Sequence, residues 1–135
     1  MFIPKRNDNN RPYLWVTKNP LDTEVALTVE TYESHIIGDH QNDLSRELVL
    51  PYVKGVIEQP RFIYCDKDYE KNKRVRYTDQ VYLEQFGKIQ NLVIIVDTDR
   101  YPNEIVTWMV KSNTKQEIIK GKGGLIYDSR AKDNK

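Results

Sequence analysis

The sequence predicts an α+β fold, with two N-terminal helices packed on a four- to five-stranded antiparallel sheet. Two features of the pattern lead there. Apolar residues recur near a helical period between Val29 and Ile57, and after Pro60 the period falls to two. Helix-type segments therefore come first and strand-type segments follow, the order of an α+β domain and not of a parallel α/β sheet. The length, 135 residues, fits a single domain over 1–135, with a polar leader at 1–11 and a basic, partly mobile tail at 113–135.

Each element has its own signals. Tyr13-Leu14-Trp15-Val16-Thr17 reads as a short strand, Asn19-Pro20-Leu21-Asp22 as a turn, and Val25-Ala26-Leu27 as a second short apolar stretch. Thr28 suits an N-cap, with Glu30 in the first turn where the helix dipole favours an anion. That helix should bury Val29, Tyr32 and Ile36 and stop near Gly38. A second helix should begin near Asp43 or Ser45. Leu44, Leu48, Tyr52 and Val56 share one face, with Val49, Val53 and Ile57 beside them. Pro51 should kink this helix or mark its true start, and Pro60 should end it.

Beyond Pro60, Phe62-Ile63-Tyr64-Cys65 reads as a strand and Asp66 to Asn72 as a charged turn. A second strand runs from Val75 to Leu83, with an interruption expected at Thr78-Asp79-Gln80, and Gly87 breaks the chain. Leu92 to Val96 is apolar enough for a central strand. Asp97 to Asn103 forms a hairpin loop, and Ile105 to Val110 is the last main strand. In the tail, Gly121-Lys122-Gly123-Gly124 lacks the flanks of a phosphate-binding loop and reads as a turn before the apolar island Leu125-Ile126-Tyr127.

Composition narrows the function classes. One cysteine, Cys65, rules out an intramolecular disulfide and a zinc site built from Cys pairs. The N-terminal residues lack the apolar core of a signal peptide, and the longest apolar run is too short to span a bilayer. The expected setting is cytoplasmic, without a membrane. Net charge is +1, unevenly spread: residues 21–60 carry −6, residues 61–90 carry +2, and residues 111–135 carry +4. A local basic face is compatible with nucleic acid, while the balance of the whole chain does not favour it.

The candidates for chemistry are few. His35 and His40 are the only histidines; they are five apart, off a common helix face, and no third ligand has suitable spacing. No metal and no other cofactor is expected. His35 reads either as a half-buried boundary residue or as a proton-transfer group. Arg74 and Arg76 share one strand face, as plain solvated residues or as a two-arginine phosphate clamp. Thr107 interrupts an apolar run, as a good strand former or as a hydroxyl aimed at a ligand. Trp15 and Trp108 read as core.

Several stretches together resemble one group of proteins. They are Leu27 to Ile36 with His40, a helix ending at Ile57-Glu58-Gln59-Pro60, Phe62-Ile63-Tyr64, Arg76-Tyr77, Leu92 to Val96, and Ile105-Val106-Thr107. This pattern is similar to the phage-associated branch of the barnase–EndoU–colicin–RelE (BECR) ribonuclease superfamily, over about residues 25–112. The resemblance implies two helices on an antiparallel sheet and metal-independent RNA cleavage by attack of the ribose 2′-hydroxyl on the adjacent phosphate. It implies His35 as base or acid, Arg76 stabilising phosphate charge, and Tyr77 and Thr107 orienting it. Arg74 and His40 would help bind the substrate. Trp108-Met109 after Thr107 departs from the group's usual small residue and aromatic, and the modest net charge departs from that of an RNA-degrading toxin.

The expected function is thus a phage-borne or toxin-like endoribonuclease, with RNA as partner and room for a cognate inhibitor. The alternative is a non-catalytic protein-binding module, or accessory protein of a mobile element, with the same fold. Its docking face would be the acidic helical third. Catalysis alone requires His35 and an arginine to converge on one phosphate.

Overall fold

The computed structural model describes residues 12–38, 44–66, 69–111 and 124–129. The leader 1–11, His40, and tail residues 113–123 and 130–135 lie outside them, as does the side chain of His35.

The strands are β1 (Tyr13–Lys18), β2 (Glu24–Thr28), β3 (Phe62–Cys65), β4 (Arg74–Leu83), β5 (Lys88–Asp97), β6 (Asn103–Lys111) and β7 (Leu125–Asp128). They form one seven-stranded sheet in the order β1-β2-β6-β5-β4-β3-β7. Between β2 and β3 come a π-helix (Thr31–Gly38), α1 (Leu44–Leu48) and α2 (Leu50–Glu58); α3 (Tyr69–Asn72) is a single turn before β4.

The expectation of two N-terminal helices on a four- to five-stranded antiparallel sheet is corrected by this order. Two strands precede the helices, the helical elements are short, and the sheet is larger and mixed. The stretches around Trp15 and Ala26 pair as a hairpin, and β2 lies parallel to β6 through Val25–Asn103 and Ala26–Glu104. Val25, Ala26, Leu27 and Thr28 are all buried, so β2 reads as a continuous apolar run without the alternation of a half-exposed strand. At the other edge, the tail's apolar island becomes β7 and pairs with β3. Gly124 sits where that strand arrives; a β-carbon there would lie 3.0 Å from the Cβ of Cys65, so any larger residue would have to push Cys65 aside by a few tenths of an ångström.

The helical predictions hold in placement and differ in kind. Thr28 Oγ1 accepts a 3.0 Å hydrogen bond from the Thr31 amide, and the first helix runs to Gly38, the last described residue before 44. It is a π-helix, which spacing alone did not distinguish, because Tyr32 and Ile36 share a face under either period. Pro51 lies in the first turn of α2, where its missing amide hydrogen costs nothing, and it divides the expected second helix in two. Val53, Val56 and Ile57 are buried as expected, whereas Tyr52 is exposed. Residues 69–72 of the expected charged turn form α3, and β4 runs through Thr78-Asp79-Gln80 without a break.

Strand register divides the sheet into two faces. Ile63, Tyr77, Ile94 and Trp108 stand in one row across β3, β4, β5 and β6, each at most 1% exposed. This row belongs to the core, which also takes in Ile36 of the π-helix and Val53 and Ile57 of α2. Side chains one position along face the other way, so Tyr64, Arg76, Ile95 and Thr107 form the matching row on the opposite face.

A buried polar group ties the β1–β2 turn to the core side. Asn19, itself buried, accepts bonds from the Leu21 and Thr23 amides at 2.9 Å each and donates to the Tyr77 hydroxyl at 2.8 Å. Burial pushes the Tyr77 phenol above its ordinary value, with the Asn19 bond opposing in part. A raised folded-state pKa stabilises fully below the unfolded value of about 10 and is lost as pH climbs through the folded value. Urea-denaturation midpoints should therefore fall above about pH 10, and Tyr77→Phe should flatten that alkaline slope. An unchanged slope in the variant would contradict this placement of the phenol.

Candidate active site

The parallel pairing of β2 with β6 stops at Ala26–Glu104, after which β2 turns away into the π-helix. The later part of β6 is met there by helices. α1 lies against it, and Arg46 of α1 donates from Nη1 to Thr107 Oγ1 at 3.2 Å and also to the Trp108 carbonyl oxygen. The Trp108 indole Nε1 in turn donates to the Arg46 carbonyl oxygen at 2.8 Å. Helix and strand are thus bonded in both directions within two residues of β6.

The π-helix completes this corner. Its Tyr32 ring stacks on Trp108 with centroids 6.3 Å apart and planes inclined by 28°. Burial and the Glu47 carboxylate both hold the Tyr32 phenol above its usual value, so its proton is kept at neutral pH. His35 follows Tyr32 by three residues on the same element, and Ile36, 1% exposed, anchors that element to the core. Eight residues of π-helix is a rare conformation, and π-helical turns are frequent at functional sites. Arg46, Thr107 and Tyr32 are each half-buried, so the corner is open to water in part.

The other expected site residues lie elsewhere. Arg76 Nε pairs with Asp66 Oδ1 at 2.6 Å, with only 19% and 11% of the two side chains exposed. Arg76 and Thr107 share a face, separated by Ile95 of β5. Tyr77 neighbours Arg76 in sequence but points to the core side, 1% exposed. Arg74 lies two positions from Arg76 on the same face, opposite Asp97, and its Nε is buried with no hydrogen-bond partner among the described residues. Of the named residues the structure brings Thr107 to a cation, and that cation is Arg46. It does not bring Arg74, Arg76 and Tyr77 together on one opening.

Among the described residues no group of three or more His, Cys, Asp or Glu side chains is placed to hold a metal ion. No helix among them is long and apolar enough to cross a membrane.

Comparison with known protein families adds the deciding observation. The family described as phage-Barnase-EndoU-ColicinE5/D-RelE like nuclease2 (PBECR2) matches residues 5–128, nearly the whole chain. The chain belongs to the PBECR2 nuclease family. Neither the curated proteins nor the solved structures yield a match. Membership agrees with the branch that the sequence pattern resembled, and it reaches beyond residues 25–112 to include β1 and β7.

Two residues of this corner escaped the sequence reading. Arg46 is one of only two cations among residues 21–60, a stretch of net charge −6, and that isolation was its signal. Tyr32 was read as core, and its contact with Trp108 depends on a pairing more than 70 residues apart.

If the indole bond holds α1 on β6, Trp108→Phe should lower unfolding stability by about 1–3 kcal/mol, because the Arg46 carbonyl loses its donor. Urea denaturation measures this; a change within about 0.5 kcal/mol would show the bond to be energetically idle.

Proposed function

We propose that this PBECR2 nuclease cleaves RNA by internal transesterification, without needing a metal ion. The observation that carries the reading is the family match over residues 5–128, joined to a corner whose side chains suit proton transfer and phosphate binding. In the reaction the ribose 2′-oxygen attacks the adjacent phosphorus. A base takes the 2′-hydroxyl proton as the O2′–P bond forms. The P–O5′ bond breaks, and an acid protonates the leaving 5′-oxygen. The products are a 2′,3′-cyclic phosphate and a 5′-hydroxyl.

His35 is the proposed proton-transfer residue, because an imidazole titrating near neutrality can serve as base or acid. Its place on the π-helix that packs against β6, three residues after Tyr32, supports the assignment. Thr107 orients the phosphate with its hydroxyl. Tyr32, which keeps its phenolic proton, supplies a further donor at the same corner. Arg74 stands on the face shared with Thr107 and is assigned to the flanking strand of RNA, whereas the Arg76 guanidinium is held by Asp66. His40 is assigned to substrate binding alongside Arg74.

The test is incubation of the purified chain with bulk RNA and a set of tRNAs in excess chelator. The expected outcome is cleavage leaving 5′-hydroxyl ends, no cleavage where the 2′-position is deoxy, and a loss of about 10²–10⁴-fold in His35→Ala. Activity abolished by chelator would remove metal independence, and full activity in His35→Ala would remove the assigned role. No cleavage of any RNA would favour the non-catalytic binding module.

A further inference from the structure

We propose that the end of the β4–β5 hairpin carries a nucleobase subsite, in which Tyr82 stacks on an adenine and the Asn91 amide reads its edge. The inference rests on the nuclease reading for the source of the base, an RNA strand. The juxtaposition of side chains behind it does not depend on that reading.

The starting observation is a buried polar group without a partner. Asn91 lies on β5, the central strand of the sheet, and is 5% exposed. Its Oδ1 is shut away from water with no hydrogen-bond donor among the described residues. A buried carbonyl oxygen in this state is costly to keep, and the great majority of such groups in folded proteins are bonded. Leucine fills nearly the same space without an unmet acceptor, so core packing alone gives no reason for asparagine here.

The surroundings of Asn91 point to a ligand. It stands opposite Gln80 of β4 and Lys111 of β6, on the face that also bears Ile95 and Thr107. That face is closed over its middle, where Thr78 and Val93 are buried. It opens one row beyond Asn91, where Tyr82 and Ile89 face each other, 55% and 58% exposed. Tyr82 is the diagonal neighbour of Asn91, at a separation of about 7–8 Å that an aromatic ring can cover. A 3₁₀ turn at Glu84–Phe86 closes the hairpin behind this pair, and the amide of Gly87, at φ +63°, donates to the Leu83 carbonyl at 2.9 Å. The platform is thus carried on paired strands held by a tight turn.

The chemistry of these groups selects the base. An exposed tyrosine ring offers a stacking surface to any of the four. A carboxamide presents an acceptor beside its donors, the complement of the N6 amino group and N7 acceptor of adenine. In the bound state the Tyr82 ring lies over the base, whose edge meets the amide from the side of the exposed pair. Asn91 is level with Lys111, four residues along β6 from Thr107 and so about 13 Å away along the strand. The base at Tyr82 therefore belongs to a nucleotide that flanks the cleaved linkage.

The test compares short 2′-O-methyl oligonucleotides, which lack the attacking hydroxyl, by fluorescence anisotropy at fixed salt. Stacking alone favours adenine over uracil, so the deciding comparison is adenine against 7-deazaadenine, which stacks but has no N7 acceptor. The parent chain should bind the adenine strand about tenfold tighter than the 7-deazaadenine strand. Asn91→Leu should make the two equal while keeping or raising the urea midpoint, because an unmet acceptor is removed. Tyr82→Ser should weaken both strands about tenfold. Equal binding of the two strands by the parent chain would overturn the assignment, and that comparison needs no variant to fold. So would a 7-deaza penalty that survives Asn91→Leu, or parent-like affinity in Tyr82→Ser. Cleavage of unmodified RNA is scored separately. Adenine-selective binding through Asn91 in a chain that cuts no RNA would end the nuclease reading and leave the base subsite. Cleavage by a chain without that selectivity would do the reverse.

Discussion

The reciprocal bonding between Arg46 and Trp108 joins the helical layer to the sheet at the point where the sheet's own pairing gives out. β2 and β6 lie parallel for only two residue pairs before β2 departs into the π-helix. The backbone of β6 beyond that point would otherwise face the solvent or the helices without a partner, and a buried carbonyl left so is costly. The Arg46 guanidinium satisfies the Trp108 carbonyl, and the indole satisfies the Arg46 carbonyl. Two part-buried acceptors are thereby served by two side chains. Trp108 is at once the last member of the core row and the ring on which Tyr32 stacks. The candidate site is therefore attached directly to the core, with no intervening loop to blur its geometry.

The division of the sheet into faces explains why sequence neighbours have unlike fates. Along β4, Val75 and Tyr77 enter the core while Arg74 and Arg76 emerge opposite, the ordinary consequence of a period of two. Tyr77 works inside, where its hydroxyl meets Asn19 and so fixes the β1–β2 turn against the middle of the sheet. Arg76 works outside, paired with Asp66. The corner around Trp108 is built instead from three separate elements, the π-helix, α1 and β6.

Much of this was legible in the sequence, and the illegible parts have physical reasons. The Thr28 cap, the break at Pro51 and the central strand at Leu92–Val96 are local signals, and each stands where it was read. The size of the sheet was not legible. β1, β2 and β7 are short, and whether a short apolar stretch joins a sheet depends on partners far along the chain. The parallel contact of β2 with β6 leaves no local mark at all. At the site, Thr107 could be singled out because a hydroxyl interrupts an apolar strand. Arg46 could not, since its role arises from a contact 61 residues away. Arg74 and Arg76 drew notice because spacing on one strand is visible, while the ion pair that occupies Arg76 spans a turn.

The most direct test of the account is a double-mutant cycle between Arg46→Gln and Thr107→Val, read by urea denaturation of the two single variants and the double. If α1 and β6 are energetically joined at this contact, the losses will be non-additive, with a coupling of about 0.5–3 kcal/mol. Losses that add to within about 0.3–0.5 kcal/mol would mean that the guanidinium and the hydroxyl are neighbours without being partners, and the corner would lose its claim to be a built site.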